Sequence, residues 1–232
     1  YTVEEIRQIL SYLANYSLYA YEREIRQGYL TLPGGHRLGL VGRAVLEGDR
    51  ITSLTEISSL NLRLAHEKKG CADSVISCLW EQDNLCDTLV VSPPGGGKTT
   101  LLRDCIRQIS DGTKEHRGRT VGVVDERSEI AGCCRGVPEN DVGMRTDVLD
   151  GCPKALGMRM LLRSMAPEVL AVDEIGSEED VREIQYAANC GCTVFATVHG
   201  DSPDALQNQP NLRKLLETGA FQRLLFLEGR DT

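Results

Sequence analysis

A glycine-rich segment near the middle of the chain, Ser92-Pro-Pro-Gly-Gly-Gly-Lys-Thr-Thr100, contains the residue types that hold phosphate groups. It follows an apolar run at residues 88–91 and precedes a run with helical character at 101–106. Glycine adopts backbone angles that point successive N–H groups toward an anion, and the following helix adds the positive end of its dipole. This order of strand, loop and helix is the one that a P-loop requires. The residues predicted to bind the phosphates of a nucleotide are Pro94, Gly95, Gly96, Gly97, Lys98, Thr99 and Thr100.

Lys98 and Thr99 have separate roles in this chemistry. The ammonium group of Lys98 would reach the β- and γ-phosphates as a point charge, and the hydroxyl of Thr99 would bind Mg²⁺. The expected cofactors are therefore ATP and Mg²⁺. The segment departs from the usual pattern at its first position, where Ser92 replaces glycine, but it retains the part that contacts phosphate, residues 94–100.

Two carboxylates, Asp173 and Glu174, follow the apolar run Val169-Leu-Ala-Val172. Four apolar residues predict a strand that is buried on both faces, and open parallel sheets bind ligands at the carboxyl ends of such strands. Hydrolysis of a nucleotide needs a carboxylate that orients Mg²⁺ and a group that positions or deprotonates water. We expect Asp173 to hold Mg²⁺ through water and Glu174 to act as the general base.

Two further apolar runs also end in polar residues. One of them ends at Asp125 and is followed by Glu126 and Glu129, which we interpret as an additional carboxylate set near the γ-phosphate. These acids would orient water or the metal. The other run leads through Thr197 to His199. A hydroxyl and an imidazole both form hydrogen bonds, so Thr197 or His199 is predicted to register the loss of the γ-phosphate.

The elements that would position these residues alternate between strand and helix. The patterns predict strands at residues 88–92, 120–125, 169–173 and 193–197, and helices at 98–109, 155–165 and 177–189. Such alternation predicts a mostly parallel sheet that is covered by helices on both faces. We therefore assign residues 71–232 to an α/β domain, whose first part, 71–88, is an amphipathic bridging stretch.

The part of the chain before residue 71 has a different pattern. Apolar residues recur at helical spacing over 2–27, and Thr2 with Glu5 predicts a capping box at the start of this helix. Short strands and turns follow, and Glu47-Gly-Asp49 has the composition of a hairpin turn. Residues 1–70 are therefore predicted to form a small α/β domain.

Four stretches resemble, in the same order, the motifs of the secretion-type ATPases of type II and type IV secretion systems and type IV pili. Within that superfamily they resemble most the stage III sporulation AA family of spore-forming Firmicutes. The stretches correspond to the Walker A motif, aspartate box, Walker B motif and histidine box of these proteins and lie at residues 95–100, 124–132, 161–176 and 196–200. General secretion ATPases often have glycine before the Walker B glutamate, where this chain has Asp173.

The resemblance implies a small N-terminal domain joined to a RecA-like P-loop NTPase domain with a parallel central sheet. It implies a ring, a hexamer of this chain, that binds nucleotide at subunit boundaries and powers or assembles a membrane channel between mother cell and forespore. The chain would be cytoplasmic, in the mother cell, and attached peripherally to membrane-embedded sporulation channel proteins. The family residues that take part in hydrolysis correspond here to Asp125, Glu126, Glu129, Glu174 and His199.

Ring ATPases commonly receive an arginine from a neighbouring subunit, which stabilises charge in the transition state. The sequence does not rank the candidates for this role, which are Arg37, Arg43, Arg63, Arg135, Arg145 and Arg163.

Sequence features disfavour two alternative functions. A RecA-like ATPase that acts on nucleic acid would need a basic stripe with aromatic residues for stacking, whereas the net charge is −8 and aromatic residues make up 5% of the chain. Nucleic acid is therefore disfavoured as the main partner, and this alternative stays open. A nucleotide-dependent scaffold without hydrolysis is disfavoured by the presence of both Glu174 and His199.

The remaining composition is that of a globular protein in a reducing compartment. None of the nine cysteines forms a pair with a two-residue gap, so we expect free thiols rather than a metal or redox site. No run reaches the roughly 18 apolar residues that a membrane span needs, and no signal peptide is recognisable. Because the chain starts at Tyr1 and stops just after the apolar run 223–227, we expect trimmed ends, with the second domain truncated at its C-terminal side.

Overall fold

The computed structural model describes residues 2–14 and 16–228, which divide into two units. The first unit contains the described residues up to His66 together with Gly132–Glu139. The second unit contains Glu67–Ala131 and the described residues from Asn140 onward. The predicted boundary at residue 70 lies close to the division after His66, whereas the grouping of Gly132–Glu139 with the first unit was not predicted from the sequence.

The first unit has three helical segments and an antiparallel sheet with the strand order β1-β2-β3. Its elements are α1 (Val3–Leu13), a 3₁₀ helix (Leu18–Tyr21), α2 (Glu22–Arg26), β1 (Tyr29–Leu32), β2 (His36–Glu47) and β3 (Arg50–Arg63). The predicted capping box is present, since the Thr2 hydroxyl accepts from the N–H of Glu5 and the Glu5 carboxylate accepts from the N–H of Thr2. The predicted hairpin is confirmed by the pairing of Glu47 with Arg50.

The single helix predicted over residues 2–27 is wrong. The helix α1 ends at Leu13, and Tyr16 has a φ of 58°, in the left-handed region that side chains other than glycine rarely adopt. The chain then turns and becomes helical again at Leu18, so that Leu10 of α1 and Tyr21 both reach the core over the sheet. Apolar residues continue at helical spacing across this break, and for that reason the pattern did not show it.

The second unit is built on a six-stranded sheet in which every neighbouring pair of strands is parallel. In the order β11-β6-β10-β9-β7-β8, its strands are β11 (Arg223–Phe226), β6 (Thr88–Ser92), β10 (Thr193–His199), β9 (Val169–Val172), β7 (Val121–Asp125) and β8 (Thr146–Asp150). The predicted parallel sheet is thus confirmed. A short hairpin of β4 (Trp80–Glu81) and β5 (Asn84–Leu85), preceded by a 3₁₀ helix at Ile76–Leu79, occupies the predicted bridging stretch.

The strand β8 was not predicted from the sequence. Its residues, Thr-Asp-Val-Leu-Asp, include two carboxylates, and it lies at the edge of the sheet, where its side chains are partly exposed. An edge strand needs no continuous apolar run because water reaches part of its surface. At the opposite edge, β11 confirms that the final apolar run forms a strand.

Helices cover both faces of this sheet. They are α3 (Lys98–Asp111), α4 (Lys154–Ser164), α5 (Glu178–Asn189), α6 (Pro203–Gln207) and α7 (Pro210–Glu217). One core joins α4, α5, α6 and α7 to alternate strand residues such as Leu170, Val172 and Ala196. Since side chains alternate across a strand, the intervening residues such as Ala171 and Phe195 face the other side, where α3 contacts β6, β7, β8 and β10. All nine cysteines lie within the described residues, and none of them forms a disulfide there.

Replacing Leu170 with alanine should test this packing. Leu170 is fully buried in β9, so Leu170→Ala is expected to lower the free energy of unfolding by about 2–5 kcal/mol. The matched control is Leu156→Ala on α4, where the side chain is 67% exposed and the expected change is within about 0.5 kcal/mol. Both can be measured by urea denaturation, and equal losses in the two variants would contradict the assigned core.

Candidate functional site

The carboxyl ends of four neighbouring strands bring the predicted site residues to one edge of the sheet. The register pairs His199 of β10 with Ser92 of β6, and it pairs Val172 of β9 with Ala196 of β10 and with Val124 of β7. Because the strands are parallel, the residues that follow each of them emerge at the same edge. The phosphate loop, the Asp173–Glu174 pair and the acidic segment after β7 therefore meet there.

The glycine-rich loop has the backbone that a phosphate cradle needs. Gly95 and Gly97 have φ angles of 76° and 91°, and a Cβ atom at either position would meet nothing within 4 Å, so this side of the loop is open. A Cβ at Gly96 would lie 2.0 Å from the hydroxyl oxygen of Ser92. Ser92 is fully buried and its hydroxyl donates to the carbonyl of Pro93. The serine that departs from the usual motif therefore occupies the space beneath Gly96.

Lys98 begins the helix α3 directly after this loop, and its side chain is buried. Its Nζ atom lies 3.0 Å from Nδ1 of His199 and 3.4 Å from Oε1 of Glu174. Burying an ammonium group is costly unless an opposite charge or hydrogen-bond partners are close. The residues predicted to surround the γ-phosphate thus form the immediate environment of the lysine.

Asp173 links two other elements of the site. Its Oδ2 atom accepts a hydrogen bond of 2.6 Å from the hydroxyl of Thr99, and its Oδ1 atom accepts one from the hydroxyl of Thr197. Asp173 and Thr99 are therefore placed together, as two ligands of one metal ion would have to be. Thr100, the next residue along α3, accepts a hydrogen bond at its carbonyl from the thiol of Cys71.

Glu174 points in a different direction from Asp173 because the backbone reverses at this residue. Its φ is 54°, and its N–H donates to the hydroxyl of Thr197, with the next N–H donating to the Thr197 carbonyl. Left-handed angles at a residue other than glycine store strain that the surroundings must offset, and such residues cluster at functional sites. Thr197 therefore holds Asp173 and Glu174 in place, and its predicted role as a phosphate sensor stays a prediction.

The carboxylate of Glu174 is surrounded by three cationic or titratable side chains. In addition to Lys98, its Oε1 atom lies 2.9 Å from Nε2 of His199, and its Oε2 atom accepts a bond of 3.0 Å from Arg127. Burial by itself would raise the pKa of Glu174, but His199, Lys98 and Arg127 together outweigh burial and lower that pKa. Glu174 is therefore a carboxylate at neutral pH.

The segment after β7 contributes a cleft that faces Glu174. Glu126 is paired with Lys154 at 2.6 Å. The cleft is lined by Val124, Asp125, Glu126, Arg127, Glu129, Lys154, Asp173 and Glu174. The predicted acids are thus near one another, but Asp125 differs from the others in its surroundings. Asp125 is buried and uses its oxygens to accept the backbone N–H groups of Glu129, Ile130 and Ala131.

The sequence analysis missed two basic residues of this cleft, Arg127 and Lys154. Arg127 lies between acidic residues in the chain and read as part of a charged turn. Lys154 begins α4, far from the motifs. No local signal could identify either one, because their roles arise from ion pairs with residues on other strands.

The arginines proposed to act from a neighbouring subunit lie in varied surroundings within their own units. Arg37 stacks on the ring of Tyr29 with its guanidinium carbon 3.7 Å from the ring centroid, and Arg43 lies 3.9 Å from Glu56. Arg145 donates to the carbonyl of Ser110, at the far end of α3 from the phosphate loop. Arg135 has a left-handed backbone, with a φ of 52°.

The residues of this edge fit a nucleotide with Mg²⁺. The open glycine cradle, the buried Lys98 and the start of α3 supply donors and positive charge for phosphate oxygens. The Thr99 hydroxyl and the Asp173 carboxylate are oxygen ligands of the kind that Mg²⁺ prefers. Within residues 2–14 and 16–228, no group of three or more His, Cys, Asp or Glu side chains could hold a metal ion. Phosphate and water oxygens would therefore have to complete the coordination of Mg²⁺.

Comparison with solved structures agrees with this fold. The ATPase DotB of Yersinia pseudotuberculosis is similar with a TM-score of 0.56 and 15% sequence identity, and the match covers 90% of this chain and 57% of that one. The pilus retraction motor PilT, solved with bound ADP, is similar with a TM-score of 0.54 and 17% identity, covering 82% and 54%. This chain thus spans little more than half the length of these proteins. Fold and loop together define a RecA-like P-loop domain.

Sequence comparison then gives the family. Residues 1–232 match the family described as sporulation stage III, protein AA. Stage III sporulation protein AA of Bacillus subtilis (strain 168) is 47% identical over 226 residues, which are 97% of this chain and 73% of that protein. The chain belongs to this family, as the sequence motifs predicted. In the described part of the chain, every helix is too short or too polar to span a bilayer.

Replacing Arg127 should change the titration of Glu174. The Arg127→Gln variant is expected to have a higher Glu174 pKa than the parent, because one of the charges that lower it is removed. The folded-state pKa lies below the ordinary value of 4.5, so ionised Glu174 contributes stability above about pH 4.5 that is lost as the pH falls. Arg127→Gln should diminish this contribution. An NMR titration that follows the side-chain carboxyl carbon of Glu174 across the acidic pH range measures this pKa directly.

The control for this measurement is Arg117→Gln. Arg117 is an exposed arginine that pairs with Glu168 and makes no contact with Glu174. Its replacement should leave the pKa of Glu174 where it is. An unchanged pKa in Arg127→Gln would show that the Arg127–Glu174 ion pair does not persist in solution.

Proposed function

We propose that this chain binds ATP with Mg²⁺ and hydrolyses it, as a ring-forming ATPase of the secretion type that serves sporulation. One observation carries the proposal: Lys98 and Thr99, at the start of α3, lie within hydrogen-bond or ion-pair distance of Glu174 and Asp173, at the end of β9. A lysine, a hydroxyl and two carboxylates in this arrangement can grip a triphosphate and direct water toward it.

In this proposal, Lys98 and the loop hold the phosphates. The N–H groups of residues 94–100 and the Lys98 ammonium offset the negative charge of the triphosphate, most strongly where that charge grows during bond cleavage. Thr99 and Asp173 hold Mg²⁺, which would neutralise phosphate charge and orient the phosphate oxygens. Thr197 keeps Asp173 in position through the hydrogen bond between their side chains.

Glu174 orients the attacking water and accepts its proton. It is ionised at neutral pH and lies in the open cleft, so it can accept a hydrogen bond from water. His199 lies 2.9 Å from the same carboxylate and 3.0 Å from Lys98, which suits a group that responds to phosphate. Glu126 and Glu129 add negative charge along the cleft and would orient water or the metal.

The wider role follows from the family to which the chain belongs. We propose that the chain assembles with itself into a ring of six subunits, in which a neighbour supplies one of the arginines considered above. The ring would act in the cytoplasm of the mother cell, attached to membrane-embedded sporulation channel proteins. The shared fold with the ATPase DotB and with the pilus retraction motor PilT is compatible with a mechanical use of ATP.

Two substitutions separate binding from hydrolysis. Lys98→Ala is expected to weaken ATP binding about 10- to 100-fold, because a buried charge that contacts phosphate is lost. Glu174→Gln should retain ATP binding and lose about 10²- to 10⁴-fold in turnover, because the amide cannot accept a proton from water. Binding is measured with a fluorescent ATP analogue and turnover by phosphate release.

The control for charge is Lys114→Ala, since Lys114 is an exposed lysine in the segment that follows α3. This variant should bind and hydrolyse like the parent. Unchanged nucleotide affinity in Lys98→Ala, or full turnover in Glu174→Gln, would contradict the proposed roles. Single-stranded DNA should not stimulate the parent; strong stimulation would favour the alternative in which the chain acts on nucleic acid.

Metal binding should depend on the nucleotide. Because the described residues offer no protein-only metal cluster, Mn²⁺ used as a probe for Mg²⁺ should bind weakly, with a Kd of roughly millimolar, until ATP is present. Thr99→Val should reduce the effect of the metal on ATP affinity while leaving metal-free binding nearly unchanged. Titration calorimetry with and without ATP measures both. Tight Mn²⁺ binding by the protein alone would exclude this arrangement.

A further inference from the structure

Arg103 has an unusual position for an arginine on the nucleotide-binding helix. It lies on α3, the helix that Lys98 begins, and only 7% of its surface is exposed. Its Nε donates to the carbonyl of Ile130, and its Nη2 donates to the carbonyl of Glu129 at 2.6 Å. Arg103 therefore binds the backbone of the segment that carries the acids of the cleft.

The same segment is held from its other side by Asp125. The Asp125 carboxylate accepts N–H groups from Glu129 at 2.9 Å, Ile130 at 3.0 Å and Ala131 at 2.8 Å. Asn140 adds a hydrogen bond of 3.1 Å to the carbonyl of Ile130. Three successive N–H groups and two carbonyls of this segment are thus satisfied by side chains from a strand, a helix and a second loop.

This arrangement costs more than apolar packing would. Burial lowers the pKa of Arg103, which means that the surroundings disfavour its charge. A methionine could fill a similar volume without that cost. Among the described residues, the hydrogen bonds of its Nε and Nη2 atoms go to two loop carbonyls, and nearby carboxylates such as Glu67 and Asp125 favour its charge. The hydrogen bonds therefore fix the path of the loop at residues 129–130.

The position of that loop decides what lies next to Glu174. Arg127 contacts Glu174 at 3.0 Å, and Glu129 lines the cleft, and both belong to this loop. A displacement of about 1 Å in a group near reacting atoms can cost about 100-fold in rate. A residue that fixes the loop therefore acts on the chemistry without touching the substrate.

We propose that Arg103 is a positioning residue, which fixes residues 126–131 to the nucleotide-binding helix and thereby holds Arg127 on Glu174 and Glu129 at the cleft. The consequence for hydrolysis rests on the proposed function, whereas the consequence for the loop does not. If nucleotide binding shifts α3, the Arg103 side chain would transmit that shift to residues 126–131.

The test compares Arg103→Met and Arg103→Lys with a control on the same helix, Arg107→Met. Arg107 pairs with Asp104 at 2.7 Å and does not contact the loop. In Arg103→Met, hydrogen exchange at the amides of Glu129, Ile130 and Ala131 should become about 10- to 100-fold faster, because charged hydrogen bonds are lost.

Turnover gives the second part of the test. In Arg103→Met, kcat for ATP should fall about 100-fold while ATP affinity stays within about threefold, since Lys98 and the phosphate loop are unchanged. Arg103→Lys keeps the charge with fewer donors and should be intermediate, which provides a folded variant if the methionine variant is unstable. Arg107→Met should match the parent in exchange and turnover.

The two levels of the proposal fail in different ways. Unchanged exchange at these amides in both Arg103 variants would overturn the positioning role, whatever the activity. A loosened loop with full turnover would overturn its link to hydrolysis. If the parent itself does not hydrolyse ATP, the proposed function fails, and the exchange measurements still decide whether Arg103 fixes the loop.

Discussion

The site depends on the buried charge of Lys98. An ammonium group with almost no access to water must have partners, and the sheet provides them by bringing Glu174 and His199 to the same edge. Glu174 contacts the lysine from a left-handed backbone, with a φ of 54°, and hydrogen bonds to Thr197 support this conformation.

Much of the fold could be predicted from the sequence because the central strands are buried on both faces. Their runs of apolar residues, as in β9, have few alternative explanations, and the polar residues that follow them were correctly expected at one edge. The strand β8 could not be found in this way, since an edge strand with two aspartates carries no such run. The helix predicted over 2–27 failed because the apolar spacing continues through a break in the backbone.

The candidate site shows the same limit at the level of side chains. Motif spacing predicted the loop residues and the Asp173–Glu174 pair, because the chemistry restricts residue types there. Arg127 and Arg103 were not identified, since a charged residue in a turn or on a helix usually belongs to a solvated surface. Their contacts join residues that are distant in the chain, and only the packed structure shows that Arg103 is buried.

The charges around Glu174 impose opposite demands on this residue. Lys98, His199 and Arg127 lower its pKa, which keeps it ionised but makes it a weak base. In the proposed function, a triphosphate would attract Lys98 and Arg127 toward its own oxygens and add negative charge beside the carboxylate. Both effects raise the pKa of Glu174, whereas Mg²⁺ held beside it by Asp173 would lower it. The balance of these charges would set the strength of Glu174 as a base, and the loop that Arg103 holds would determine how far Arg127 takes part.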